Sequence, residues 1–293
     1  MNVTPKKIMA WDLKRWNKKT IMKRLLTLTA LAILFSFSAV ANGQEIEEKQ
    51  AKSQFEYRKV DNNAFRAGEF LKYKLAYGFM SAGEATLEVK KLEKKIQGRD
   101  ILMVKGRGYS ISAFDWFFKV RDQYDTYLDA EGVFPWLFVR RIEEGGYKKK
   151  QDYKFFQNEG RVEDVRKEKE YQIPHGIQDM VSSFYYARTI DFSGAKKDQI
   201  FTFDAFVDGE IIPIRIRYAG TKTVKVDAGK FECMVFHPAV QEGRIFEDDD
   251  ALTVYITKDE NKIPILAKAK VLIGSIRMEL INYKNLANPI AKK

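Results

Sequence analysis

A single cysteine, Cys233, stands in 293 residues, so no disulfide can form within the chain. Two histidines are too few for a His-rich metal centre. An excess of one charge is also missing once the first 43 residues are set aside. Eight of the 51 basic residues and one of the 40 acidic ones lie there, leaving 43 against 39 with signs mixed along the chain. That balance gives no electrostatic footing for nucleic acid. The chain lacks a Gly-x-Ser-x-Gly elbow, a phosphate loop and a His-Glu-x-x-His pair, which removes the common hydrolase, nucleotide and zinc-protease readings. Alternation of strand and helix is absent too, so a parallel sheet is excluded. What remains is a soluble-type composition of 45% apolar and 31% charged residues, with aromatics at 13%. Such aromatic content favours a β-rich core.

The one long uncharged run sits near the start. Lys23 and Arg24 precede the apolar stretch Leu25–Phe37, and Ala39 and Ala41 take the small-residue positions that a signal peptidase reads. Residues 1–43 are therefore expected to be a secretory signal peptide, with Met22 as an alternative start. Leu25 to Ala41 is short for a membrane span of about 20 residues. No cysteine stands directly after the apolar run, which excludes lipidation at a mature N-terminal Cys. The expected location is the periplasm or the exterior. Residues 44–65 are polar, without a sustained apolar period, and read as a flexible lead-in.

From residue 66 alternation at period two takes over. Leu71, Tyr73, Leu75 and Tyr77 share one face while Lys72 and Lys74 share the other; Ala85, Leu87 and Val89 repeat the pattern against Thr86, Glu88 and Lys90. One apolar face and one wet face mean antiparallel strands. Turn residues punctuate the rest: 129–132, Gly145-Gly146, 158–160, Asp208-Gly209, Ala219-Gly220, Ala228-Gly229 and 259–262. Asp208-Gly209, between apolar runs 200–207 and 211–218, carries the two-residue hairpin signature. Residues 133–142 are expected as one strand. One segment departs from the pattern. Met180, Phe184 and Ala187, with Val181 and Tyr185, fall at helical spacing behind an N-cap candidate, Asp179, which predicts a helix near 179–190.

These signals predict an all-β, mainly antiparallel domain over 66–284, with a polar tail at 285–293. About 14 strands, seven on each side of the helix, would form a large curved sheet closing into an open or near-closed barrel. A two-lobed sandwich is the competing architecture. An outer-membrane barrel is disfavoured, because Lys72, Lys74, Glu88 and Lys90 stand mid-strand on outward faces.

The segments YDTYLDAEGVFPWLF, QDMVSSFYYAR, VDAGKFECMVFHP and LTVYITKDENKIPILAKAKVLIGSIRMEL, spread over roughly 66–284, resemble a bacterial exported family known as domain of unknown function 3108. The resemblance implies an envelope or secreted β-rich protein. It implies no activity, cofactor or catalytic residue.

Individual constellations point the same way. Cys233 and His237 share a strand face but stand about 13 Å apart along it, too far for a thiolate–imidazole pair. Glu247–Asp250 could hold calcium only if the chain curled, since consecutive carboxylates on an extended strand point opposite ways. Asp115, Asp122 and Asp125 are acid–base candidates for glycan hydrolysis, with nothing to single out a pair. Lys105-Gly106-Arg107-Gly108 lacks the helix start that a phosphate site needs. The aromatic content is more informative. Tyr109, Phe114, Trp116, Phe117 and Phe118 surround a Ser-rich bend, and Phe134, Trp136 and Phe138 share a strand face opposite Val133, Leu137 and Val139. A strand apolar on both faces must be covered on both.

The expected function is a non-catalytic, carrier-like barrel for an apolar or amphipathic ligand, with Phe114, Trp116, Phe117, Trp136 and Phe138 as candidate liners, no catalytic or metal site, and no cofactor. Its partners would be a lipid-like ligand or another envelope protein, not nucleic acid, and it would not be integral to the membrane after cleavage. The alternatives are a scaffolding protein acting through protein–protein contacts and an enzyme acting on glycan or cell-wall material.

Overall fold

A computed structural model describes residues 55–239, 252–270 and 274–293. The expected signal peptide, most of the expected lead-in and the acidic run 247–250 lie outside the described residues.

Alternating apolar residues drive the first meander, in which each strand returns antiparallel to the last. Its members are β1 (Phe70–Tyr77), β2 (Met80–Ile96), β3 (Arg99–Ser110), β4 (Arg121–Asp129), β5 (Pro135–Glu144), β6 (Tyr147–Phe156), β7 (Arg161–Asp164) and β8 (Lys169–Gln172). A short helical turn, α1 (Ser112–Asp115), lies between β3 and β4. The chain then forms α2 (Met180–Thr189) and a second meander: β9 (Ile200–Val207), β10 (Glu210–Val226), β11 (Gly229–Ala239), β12 (Leu252–Thr257), β13 (Pro264–Lys270) and β14 (Ser275–Lys284). The second meander ends beside the start of the first, where β14 pairs β1 from Phe70↔Lys284 to Tyr77↔Ile276. All 14 strands thus belong to one antiparallel sheet with β8 and β9 at its edges. The sheet is curved and not closed by a backbone ladder.

Side chains cross the gap instead. The Phe206 ring from β9 packs edge-on against Tyr153 and Tyr171, with centroids 5.1 and 5.2 Å away. Asp208, in the following turn, accepts hydrogen bonds from Lys149 (2.7 Å) and Gln151 (2.8 Å) of β6 and from Arg140 (3.1 Å) of β5. Gln178, just ahead of α2, adds a short parallel bridge to β9, donating from its backbone N–H to Asp204 and accepting from Phe206.

The helix forms where the spacing places it. Asp179 caps it in a reciprocal box, accepting from the N–H groups of Val181 (2.8 Å) and Ser182 (2.7 Å) while the Ser182 hydroxyl accepts from its own N–H. Thr126 of β4 also donates to the Asp179 carboxylate, at 2.6 Å. At the other end Arg188, fully buried, makes a two-pronged ion pair with buried Glu69, both contacts at 2.7 Å. Arg188 also donates to the carbonyls of Ala64 (2.8 Å) and Asn261 (2.9 Å). The helix is thereby bolted to β4 by its start and to the chain ahead of β1 by its end.

Several details differ from the sequence reading. Ala219-Gly220 is not a reversal: β10 runs straight through, with a register shift between Tyr218 and Gly220 that the positive φ of Gly220 accommodates. The strand expected over 133–142 starts at Pro135, because Val133 sits at φ 47° in a turn. Eight strands precede α2 and six follow it, since β7 and β8 are separate four-residue strands. Packing starts upstream of 66: the compact unit begins at Tyr57, Ala64 and Phe65 are buried, and Arg58 donates to the carbonyls of Gly132, Val133 and Gly176. The residues after β14 are tied down as well. Asn288 exchanges hydrogen bonds with Asn261, and Lys292 bridges Phe231.

Candidate functional site

The middle of β3 carries Gly106 and Gly108 on its concave face, opposite Leu87 and Ala85 of β2. A Cβ at Gly106 would lie 2.8 Å from the Tyr124 carbonyl oxygen and 3.5 Å from Leu87, so only glycine lets β4 approach there. At Gly108 the nearest atom would be 3.6 Å away, so the missing side chain leaves space. Two glycines facing one alanine strip the floor of bulk. The result is a cavity of about 270 Å³ under α2, roofed by Met180, Val181 and Phe184 and walled by Tyr73, Tyr124 and Met278. Its lining is overwhelmingly apolar. Met180 is 38% exposed, at the mouth. The space lies to one side of the packed interior, because Val104 and Thr126, one step along the same faces, are fully buried.

Two polar features mark the cavity. The hydroxyl of Tyr73 is buried and has no hydrogen-bond partner among the described residues. Burial pushes that phenol well above its ordinary range, against the nearby positive charge of Arg188. A buried donor left unmade costs about 1–3 kcal/mol, and this one lies behind the cavity wall, toward Arg188 and Glu69. Behind Tyr124 lies a charged wall. The Arg140 guanidinium sits 5.5 Å from the Tyr124 ring centroid, and Asp122, beside Glu144, is pushed up to about 6 by burial and by that second carboxyl.

The sequence candidates divide into two groups. Trp136 and Phe138 are core: Trp136 packs with Ile101, Phe134 and Tyr57, whereas Phe138 stacks with Tyr153 in the main interior cluster. Trp116 and Phe117 stand in solvent, 92% and 78% exposed, with Phe114 half-buried against Phe117. The five do not meet in one concavity, and none lines the cavity under α2. Cys233 is buried, its thiol raised to about 12 by burial, while His237 contacts Thr253. Asp115 is held down to about 2 by Arg121 and Ser110, and Asp125 accepts from Arg107 and Gln123. Those two carboxylates are thus committed to separate partners. Among the described residues no helix is long and apolar enough to cross a membrane.

Gly106, Gly108 and Ala85 were present in the sequence, but as missing bulk rather than as chemistry. Small residues at alternate strand positions were the signal that could have located the hollow.

With this geometry in hand, the comparisons fall into place. Residues 72–281 match the family model described as protein of unknown function DUF3108. The chain belongs to the DUF3108 family. No curated protein matches it. A β-barrel-like protein of domain of unknown function DUF1849 from Brucella abortus is similar over 76% of this chain and 99% of its own, at 14% identity and a TM-score of 0.51. That likeness shows the fold alone. A Bacteroides fragilis protein with a YmcC-like fold is 10% identical, with a TM-score of 0.32, over 78% of this chain and all of its own. The family match covers β1 to β14 almost completely, so this DUF3108 domain includes the glycine floor, α2 and the Glu69–Arg188 bolt's helical half.

Proposed function

We propose that this DUF3108 protein is an exported, non-catalytic envelope protein that holds an apolar or amphipathic ligand in the hollow beneath α2. The supporting observation is the apolar cavity itself, floored by Gly106, Gly108 and Ala85. The lining residues are mostly half-buried, so the hollow opens at the surface and leaves apolar side chains short of the contacts that a packed interior gives. At about 270 Å³ it approaches the lower end of ligand pockets, roughly 300 Å³ upward, which suits a small apolar body or one end of an acyl chain. The signal-peptide layout of residues 22–43 supports export.

Native mass spectrometry of the protein purified from its own envelope tests this reading, together with an Ala85→Phe variant that fills the floor. The parent is expected to carry an adduct of lipid-like mass and the variant to lose it, with both folded. A parent that arrives empty and also fails to take up a fluorescent naphthylamine probe overturns it.

A further inference from the structure

The end of the sheet at which β1 finishes gathers nearly every large apolar side chain that stands out to solvent. Phe79 is 97% exposed at the β1–β2 turn, followed by Met80. Trp116 and Phe117 project from the β3–β4 connection, Tyr147 from the β5–β6 turn, and Ile276 from the start of β14. Of the other large exposed apolar residues, only Met180 and Ile200 lie elsewhere among the described residues. These tips are neighbours. Ile111 donates to the Ala82 carbonyl, Gly145 to Lys119, and Gly78 to Ser275, so three turns and the β14 start abut around one rim. Phe118 lies over Gly145, where a Cβ would collide with its ring.

Charge around the rim is uneven in a specific way. Two of its acids are paired locally, Asp115 by Arg121 and Glu143 by Lys148, while Glu144 shares its site with Asp122. Lys150 and Lys270, both exposed, have no acidic partner among the described residues, and exposed Lys119 faces Asp115, which Arg121 already pairs. Aromatic and aliphatic tips on separate turns, ringed by exposed lysines, match an interface between acyl chains and anionic headgroups. They form neither a continuous groove nor a bare strand edge, the surfaces that a helix or an added strand would need.

We infer that this rim docks on the surface of an anionic phospholipid bilayer, with Phe79, Trp116 and Phe117 entering the headgroup–acyl boundary and Lys119, Lys150 and Lys270 meeting the headgroups. The cavity under α2 is displaced toward the same rim, its lining at Ala85, Gly108 and Tyr124 lying within a few residues of the strand ends there. Docking itself does not require the cavity to be occupied.

The full chain allows a site-resolved test, because its one cysteine is buried. An environment-sensitive fluorophore is placed in separate variants at Phe79→Cys, at Phe117→Cys and, at the opposite end, at Glu260→Cys. Each is mixed with vesicles of phosphatidylcholine and phosphatidylglycerol, or of phosphatidylcholine alone. The labels at 79 and 117 are expected to shift blue and to be quenched by brominated acyl chains on the anionic vesicles, while the label at 260 stays unchanged. Added salt weakens the shift, and Trp116→Ser with Lys119→Gln lowers partitioning by about tenfold or more without moving the melting temperature. Rim labels that stay unshifted on vesicle-bound chain would mean that another segment holds it, and the inference fails. It fails equally if those labels respond only when a second envelope protein is added. Ala85→Phe, the cavity-filling variant, should dock like the parent, so loss of ligand and loss of docking are read separately.

Discussion

Removing Glu69 from beneath Arg188 isolates a charge that cannot escape. The guanidinium is fully buried and spends four contacts: two on the Glu69 carboxylate at 2.7 Å and two on the carbonyls of Ala64 and Asn261 at 2.8 and 2.9 Å. Burial works against the cation, but Glu69 more than compensates and keeps it protonated. In Glu69→Gln the shape survives while the countercharge is gone. In Arg188→Met a buried carboxylate and two carbonyls lose their donors at once. Breaking one half of such a pair typically costs about 3–5 kcal/mol. Against a total stability of order 5–15 kcal/mol, that removes about a fifth or more of what holds the domain together. The melting temperature should fall by roughly 6–20 °C in either single variant. Replacing both residues, as Glu69→Leu with Arg188→Met, should return more than half of the loss, because no unpaired charge remains. Thermal and urea denaturation of the three variants measures this directly. If each single change costs less than about 1 kcal/mol, the pair behaves like a wet surface bridge and the burial argument is wrong.

Other expectations follow from the same network and from the seam. Asp179 is pushed up to about 6 by burial, against the hydrogen bonds that it accepts. Its folded form therefore holds a proton that the unfolded chain has already released, and its contribution to stability declines as pH rises from about 4 through 6. Asp179→Asn, which retains a cap acceptor, should flatten that part of the stability–pH curve relative to the parent; an unchanged slope would refute the assignment. Phe206→Ala removes the ring that crosses the gap to Tyr153 and Tyr171, and is expected to cost about 3–5 kcal/mol by denaturation. Faster amide exchange in β8 and β9 should accompany that loss, with β1–β4 little changed.

Local signals carried most of the fold. The Asp208-Gly209 turn, the alternation through β1 and β2, and the Asp179 cap each depend on residues within a few positions, so their physics is written in short windows. Gly220 shows the limit: a strand glycine marks either a turn or a bulge, and only pairing with β11 decides which. Glu69 and Arg188 meet across the fold, so neither reads as half of a buried pair in isolation. The aromatics misled for a related reason. Burial of Trp136 and exposure of Trp116 follow from whether the residue lies within a strand or at a rim, a distinction that composition does not contain. The cavity was hardest to see because it consists of absent side chains, which acquire meaning only once Gly108 is set opposite Ala85.

The pairing of β1 with β14 has a consequence for how the molecule is made. Hairpins within each meander close over short loops and can form as soon as their residues emerge, but Phe70 must wait for Lys284. Until the C-terminal strand arrives, β1 offers an unsatisfied row of amides and carbonyls, and such an edge invites pairing with another chain. The polypeptide therefore passes through a period in which a half-built wall is sticky along its first-made side. Arrival of Ser275–Lys284 ends that hazard, which makes truncation ahead of β14 a predicted route to aggregation rather than to a slightly weaker fold.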